Sequence, residues 1–108
     1  MTSFQDRERA FEAKYAHDEE FRFRVTARRD KLFAHQSAAL LKLSEEGEGE
    51  LVTAVLAVRD GPTHDALLLC YMSDVFAEHG RSEAADGLST ALDACAEQAR
   101  QQLLTHPE

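Results

Sequence analysis

The amino-acid sequence predicts an all-α fold, an antiparallel four-helix bundle with a long first helix and a mobile N-terminal arm. Apolar residues recur at helical spacing in four segments. The stretches between these segments are short and rich in Gly, Pro and acidic residues. No segment alternates polar and apolar residues as a strand would. Four helices with short connections favour an antiparallel bundle.

The first helix is predicted to extend from Phe4 to Leu43, because neither Gly nor Pro occurs in that range. Two acid-first pairs at a spacing of four support it, Asp18 with Arg22 and Glu20 with Arg24. Its packed face is expected to contain Phe4, Phe11, Tyr15, Phe21, Val25, Leu32, Gln36, Leu40 and Leu43.

This first helix is too long for the bundle to cover. A compact chain of 108 residues has a radius of gyration of about 13 Å, whereas a helix from Asp6 to Leu43 would be ~57 Å long. We therefore expect two parts. Residues 1–20 form a mobile arm, disordered or partly helical when free, and residues 21–108 form the four-helix bundle.

The remaining helices are delimited by turn and capping residues. Two glycines and four acids in Ser44–Glu50 predict a loop, followed by a short second helix, Gly49–Arg59. Thr63 is placed as the N-cap of a third helix, which Gly80 ends. Ser82 is predicted to cap the fourth helix.

The charge of the chain is unevenly distributed. Through Lys31 it has eight basic and seven acidic side chains, whereas the rest has four basic and thirteen acidic ones. A formal net charge of −8 argues against nucleic acid as a partner, because phosphate backbones bind basic surfaces. The apolar runs are too short for membrane insertion, and with two cysteines and no leader we expect a cytoplasmic protein.

The segment Asp6–Leu32 reads DRERAFEAKYAHDEEFRFRVTARRDKL. It resembles the signature of the zeta subunit, the ATPase inhibitor of alpha-proteobacterial F-type ATP synthases. That signature is close to F-x-D-R-E-x-A-F-E-A-K-[FY]-A-H-D-E-E, followed by A-R-R-N-K-L. The chain departs from the family at two places. Asp30 stands where the signature has Asn, and Leu67–Tyr71 is a more apolar run than the family leads us to expect.

The resemblance implies a protein inhibitor of ATP hydrolysis rather than an enzyme. Its N-terminal segment would insert into the catalytic head of the synthase, contact the rotor and block rotation in the hydrolysis direction. The protein would lie in the cytoplasm, peripheral to the inner membrane through the synthase. Carried over to this sequence, the contact residues are Phe4, Arg7, Glu8, Phe11, Lys14, Tyr15, His17, Asp18, Glu19 and Glu20.

The distribution of aromatic residues also favours a binding role for the arm. Five of the six Phe and one of the two Tyr fall within the first 33 residues, more than the bundle end of one helix could bury. Aromatic side chains are preferred anchors at protein interfaces. Aromatics at helical spacing are otherwise typical of a core, which is the alternative for Phe4, Phe11 and Tyr15.

A dense basic cluster follows the arm and consists of Arg22, Arg24, Arg28, Arg29 and Lys31. Arginine forks match phosphate oxygens, and the resembled family is associated with ADP or ATP. The cluster is therefore the candidate site for a regulatory nucleotide, although the sequence has no P-loop. The alternative is a solvated face paired with Asp18 and Glu20. No obligatory cofactor is expected.

His17 allows two further hypotheses. It lies three residues before Glu20, as metal ligands on one helix face do, but a second such pair is absent from the sequence and we expect no metal site. A pH switch is the other hypothesis, because the neighbouring carboxylates favour the charged imidazole. An inhibition profile that is flat from pH 6 to 8 would remove it.

Two other functional classes remain as alternatives to the inhibitor. The first is a nucleotide-sensing helical adaptor that binds ADP or ATP without inhibiting the ATPase directly. The second, an enzyme, is the least favoured, because no nucleophile has a base at a fixed spacing. Cys95 is expected to be a small core residue, and no role is predicted for Cys70.

Overall fold

The computed structural model describes residues 4–105, with side chains described for residues 19–105. Its α-helices are α1 (Phe4–Leu40), α2 (Glu45–Leu56), α3 (His64–Glu78) and α4 (Leu88–Thr105), and a 3₁₀ helix, Ser82–Gly87, precedes α4. The described residues contain no strand, so the predicted all-α fold with four helices is confirmed. No helix in the described part has the length and apolar character needed to span a membrane.

Helix α1 ends three residues earlier than predicted, at Leu40. Lys42 adopts a left-handed backbone conformation with φ of 56°, which stops the helix. The Lys42 amide donates to the Ala39 carbonyl, and the Leu43 amide donates to the Ala38 carbonyl over 3.0 Å. This pair of bonds is the Schellman arrangement, which satisfies carbonyls at the end of a helix.

The predicted loop at residues 44–50 was wrong, because these residues begin α2. Ser44 is the N-cap, and its hydroxyl accepts a 3.1 Å hydrogen bond from the Gly47 amide. Glu45, Glu46 and Glu48 lie in the first turn, where the helix dipole favours negative charge. The acids that suggested a loop are thus a helix-starting signal.

The limits of α3 follow the predicted signals more closely. Thr63 occupies the N-cap position, although its side chain makes no capping hydrogen bond. Gly80, with φ of 72°, ends the helix. The Arg81 amide donates to the Phe76 carbonyl over 2.8 Å. Ser82, predicted to cap the fourth helix, instead begins the 3₁₀ helix.

The core consists of apolar side chains from all four α-helices. Its buried members include Phe33, Ala34, Ala38, Leu51, Val55, Leu68, Met72, Phe76, Leu88, Leu92 and Cys95. The predicted face of the first helix is confirmed in part, because Val25 is buried and Phe21, Leu32 and Leu43 pack against the core. Leu40 is 54% exposed and Gln36 is exposed, because Phe33 and Ala34 face the neighbouring helices instead.

A second, smaller cluster joins α1 to the end of α4. Val25, Ala99 and Leu103 are buried together, and Phe21 packs at the edge. Glu19 and Glu20, the described residues that precede Phe21, are exposed. Within the described side chains, the packing of α1 against the bundle therefore begins at Phe21. The division of the chain at residue 20 stays a prediction.

Polar contacts set the direction of α4 relative to α1. Arg28 donates to the Gln102 side chain, and further along α1 Gln36 donates to the Gln98 side chain. Positions increase along α1 as they decrease along α4, so these two helices are antiparallel. Helix α1 alone is ~56 Å long, which accounts for most of the 64 Å length of the molecule.

Candidate functional site

Most residues predicted for the inhibitory arm lie outside the described side chains. These residues are Phe4, Arg7, Glu8, Phe11, Lys14, Tyr15, His17 and Asp18. The two that are described, Glu19 and Glu20, are exposed, and Glu20 forms a 3.0 Å ion pair with Arg24 one turn later. The pH hypothesis for His17 stays untested. Among the described residues, no group of three potential ligands could hold a metal ion.

The five cations of the basic cluster do not form one surface. Consecutive residues of a helix point about 100° apart, so the cluster is divided among the sides of α1. Arg22, Arg24 and Lys31 are exposed. Arg28 is directed toward α4 and Arg29 toward α3. The sequence showed the density of charge but not this division.

Arg29 is held by two carboxylates. Its Nε donates to Asp30 Oδ1 over 2.9 Å, and its two Nη atoms donate to the Asp65 oxygens over 2.8 and 3.2 Å. Its side chain is only 11% exposed. Burial opposes the charge, but the two carboxylates outweigh it and raise the pKa of Arg29. The donors of Arg29 are thus engaged within the protein.

The same interaction acts on Asp65, at the start of α3. The hydrogen bonds from Arg29 lower the pKa of Asp65, against a smaller opposing contribution from burial. The Asp65 side chain is 61% exposed, so solvent screens this pair on one side.

His64 and Asp30 form a buried pair that the sequence analysis did not identify. His64 Nε2 lies 2.6 Å from Asp30 Oδ2, and His64 Nδ1 lies 2.9 Å from the carbonyl oxygen of Arg59. Asp30 is 4% exposed and His64 is 8% exposed. They are 34 positions apart, so no local pattern joins them. The one available signal was that Asp30 departs from the family signature.

Burial alone would lower the pKa of His64. The hydrogen bond to the Arg59 carbonyl, the hydrogen bond to Asp30 and the charge of Asp30 together outweigh burial and raise this pKa, although Arg29 opposes them. The charged imidazolium is therefore favoured relative to a histidine in water.

An open groove extends along α1, between α2 and α4, and it shares Phe23 and Leu56 with the cavity beside His64. We call it the basic groove. Its cavity volume is about 640 Å³, and its lining includes Phe23, Arg24, Arg28, Lys31, His35, Leu56, Gln102 and Leu103. Phe23 is 68% exposed and Leu56 is 53% exposed. Cations and exposed apolar groups that line the same groove suit an anionic ligand that also has an apolar or planar part.

The two cysteines differ in environment. Cys95 is fully buried, its thiol donates to the Gln36 side chain over 3.4 Å, and burial raises its pKa. This agrees with the predicted role as a core residue. Cys70 is exposed, and the structure suggests no role for it.

Comparison with known proteins identifies the family. The family model for the ATPase inhibitor subunit zeta matches residues 1–102. The matched region includes the charged N-terminal segment and continues through the bundle. No curated protein and no solved structure matches the chain. The description of the family is that of a regulatory subunit rather than a catalyst. The chain belongs to the ATPase inhibitor subunit zeta family.

Proposed function

We propose that the protein inhibits ATP hydrolysis by the F-type ATP synthase, with residues 1–20 entering the catalytic head. Family membership over residues 1–102 is the observation that supports this proposal most strongly. The protein would act in the cytoplasm, peripheral to the inner membrane through the synthase. Its partners would be the catalytic head and the rotor.

The packing of α1 is consistent with separate roles for the bundle and the arm. Among the described side chains of α1, core contacts begin at Phe21, which is consistent with an arm that ends at residue 20. Helix α1 is continuous from Phe4 to Leu40. A bundle bound beside the head would hold the arm at a high effective concentration near the arm's binding site on the head. The arm would then act as a wedge, which hydrolysis tightens and synthesis expels.

The test is ATP hydrolysis by isolated synthase heads from the same source. The heads are titrated with the intact protein and with a variant that starts at Phe21. Inhibition by the intact protein alone would support the arm as the inhibitory element. Circular dichroism of the truncated variant checks that the bundle still folds.

A variant with residues 1–20 in scrambled order provides a matched control, because it keeps the length and net charge of the arm. If aromatic and charged contacts at specific positions carry inhibition, the scrambled arm does not inhibit. Full inhibition by the scrambled protein would instead show that charge and length suffice.

A second proposal is that ADP or ATP binds the basic groove as a regulatory ligand. The observation that favours it is that Arg24, Arg28 and Lys31 line one groove with the exposed ring of Phe23. Phosphates would contact the cations, and the base would lie against the apolar wall. Arg29 does not line this groove, and Asp30 and Asp65 already bind its donors.

Calorimetric titration with ADP tests this second proposal. The double variant R28Q/K31Q should lose binding, whereas Arg22→Gln should retain it, because Arg22 is exposed but does not line the groove. Equal losses in both proteins would indicate a general charge effect. Nucleotide binding without any inhibition of the synthase would favour the alternative function, a nucleotide-sensing adaptor.

A further inference from the structure

We propose that His64, Asp30 and the Arg59 carbonyl form a pH-dependent latch, which holds α1 against the start of α3 and opens as the pH rises. The latch joins segments that are distant in sequence. Asp30 lies on α1, Arg59 lies after the end of α2, and His64 is the first residue of α3. Neither Asp30 nor His64 lines the basic groove.

Beside a carbonyl oxygen and a carboxylate oxygen, both ring nitrogens of His64 form hydrogen bonds only as donors. The Arg59 carbonyl, 2.9 Å from Nδ1, has no hydrogen to give. The Asp30 carboxylate, 2.6 Å from Nε2, also accepts a hydrogen bond from Arg29 on its other oxygen. A neutral imidazole has only one N–H group. The arrangement therefore fits an imidazolium that donates to a carboxylate and to a carbonyl.

The charges around His64 come from α1, from the connection before α3, and from α3 itself. Asp60 Oδ1 lies 3.9 Å from Nδ1 but is largely exposed. Asp65 follows His64 directly and binds Arg29. Asp30 is thus the buried carboxylate that contacts His64, and Arg29 is the cation that opposes the charge of His64.

Loss of one proton changes the latch from attractive to repulsive. Nδ1 keeps its hydrogen, because the Arg59 carbonyl can only accept. The lone pair of Nε2 then faces a carboxylate oxygen, and two acceptors cannot remain 2.6 Å apart. A cavity of about 430 Å³ lined by Asp30, His64 and Asp60 lies beside the pair, so water can enter between them as they separate.

Helix α1 is tied to α3 by few polar contacts. In the described part of the chain, these contacts are the pair of His64 with Asp30 and the pair of Arg29 with Asp65. Opening the first pair leaves the more exposed second pair. We therefore expect the α1 segment around Asp30 to loosen from α3 at high pH while the apolar core keeps the bundle folded.

The direction of the pH effect follows from the raised pKa of His64. A group whose pKa is higher in the folded protein stabilises it fully below the ordinary histidine value of about 6.5. That contribution is lost as the pH rises through the folded-state pKa. The latch is accordingly closed in mildly acidic solution and open above the folded-state pKa.

Two measurements on the full chain test the latch. Nitrogen-15 NMR of the imidazole at pH 6 should show both nitrogens of His64 protonated, with titration above the ordinary histidine range. Chemical shifts of the α1 amides near Asp30 should change with the same midpoint. An unprotonated Nε2 at pH 6 would overturn the proposal, and this result requires no variant to fold.

Thermal unfolding from pH 5.5 to 9 gives the second test. In the wild type, His64 should make the unfolding temperature fall as the pH rises. Asp30→Asn should reverse this contribution, because Asn can donate to a neutral Nε2 and burial then lowers the pKa of His64. The matched control is His35→Gln, which removes an exposed histidine paired with Glu48 over 3.2 Å. In this control, the unfolding temperature should still fall with rising pH as the latch predicts. An unchanged slope in Asp30→Asn would refute the latch.

Discussion

The two sides of helix α1 bear similar cations but place them in opposite environments. On the side that faces α3, Arg29 is largely buried between Asp30 and Asp65. On the side of the basic groove, Lys31 is exposed, and Arg28 makes one long hydrogen bond to a neutral amide. The first side uses its charge to hold the fold, and the second leaves charge available for a ligand.

This difference shows that the density of charge in a sequence does not identify a binding site. A buried cation needs a partner within the protein, because an unpaired charge away from water is costly. An exposed cation needs none. If the two sides of α1 also differ in their contribution to the free energy of unfolding, substitutions on them should have unequal effects. These effects are ordered here from the largest to the smallest.

Removing Asp30 should have the largest effect on stability. Asp30→Ala leaves His64 and Arg29 without their shared buried carboxylate, and breaking a buried ion pair in this way costs about 3–5 kcal/mol. Urea unfolding at pH 6 measures the change. Asp93→Ala, at an exposed position of α4, is the control and should change stability by less than about 0.5 kcal/mol. A loss of stability below about 1 kcal/mol for Asp30→Ala would contradict the claim that charges on the side of α1 facing α3 hold the fold.

Arg29 and Arg28 are adjacent and can be compared directly. Arg29→Met removes hydrogen bonds between charged groups at a largely buried position and should destabilise the protein by about 2 kcal/mol. Arg28→Met should change stability by no more than about 0.5 kcal/mol. Both are measured by urea unfolding at pH 7. Equal effects would mean that the two sides of α1 do not differ in energy.

Asp65→Asn should have a smaller effect, because its side chain is 61% exposed. An ion pair in this setting contributes about 0.5–1 kcal/mol. Since Arg29 lowers the pKa of Asp65, the contribution is present above the ordinary Asp value and is lost as the pH falls through the folded-state pKa. The stability difference between the wild type and Asp65→Asn should therefore shrink from pH 6 to pH 3. A constant difference would contradict this assignment.

Substitutions in the basic groove should have the smallest effect on stability. The double variant R28Q/K31Q is expected to change stability by about 0.5 kcal/mol or less, while it removes ADP binding. Unfolding and calorimetry on the same sample separate the two effects. A large loss of stability would show that these cations support the fold.

Much of the fold could be predicted because its signals are local. Gly80 ends α3 as its position predicted, and Ser44 was a readable capping signal that the neighbouring glycines obscured. Gly47 and Gly49 lie inside α2, where the Ser44 cap and three acids in the first turn outweigh the low helix propensity of Gly. The end of α1 was harder to predict, since Lys42 adopts a conformation that usually requires Gly.

The candidate sites were less predictable because they depend on tertiary contacts. The sequence marks Asp30 as a departure from the family, but only folding brings His64 to it. Likewise, the basic cluster was visible, yet its division between α3 and the groove depends on which neighbours pack on each side of α1. The arm residues were proposed from the resemblance and remain predictions.

The most direct test of the central claim is ATP hydrolysis by isolated synthase heads in the presence of three proteins. These are the intact chain, the variant that starts at Phe21, and R28Q/K31Q. We expect the intact chain and R28Q/K31Q to inhibit and the truncated variant to have no effect. Full inhibition by the truncated variant would contradict the assignment of inhibition to residues 1–20 and would place it in the bundle.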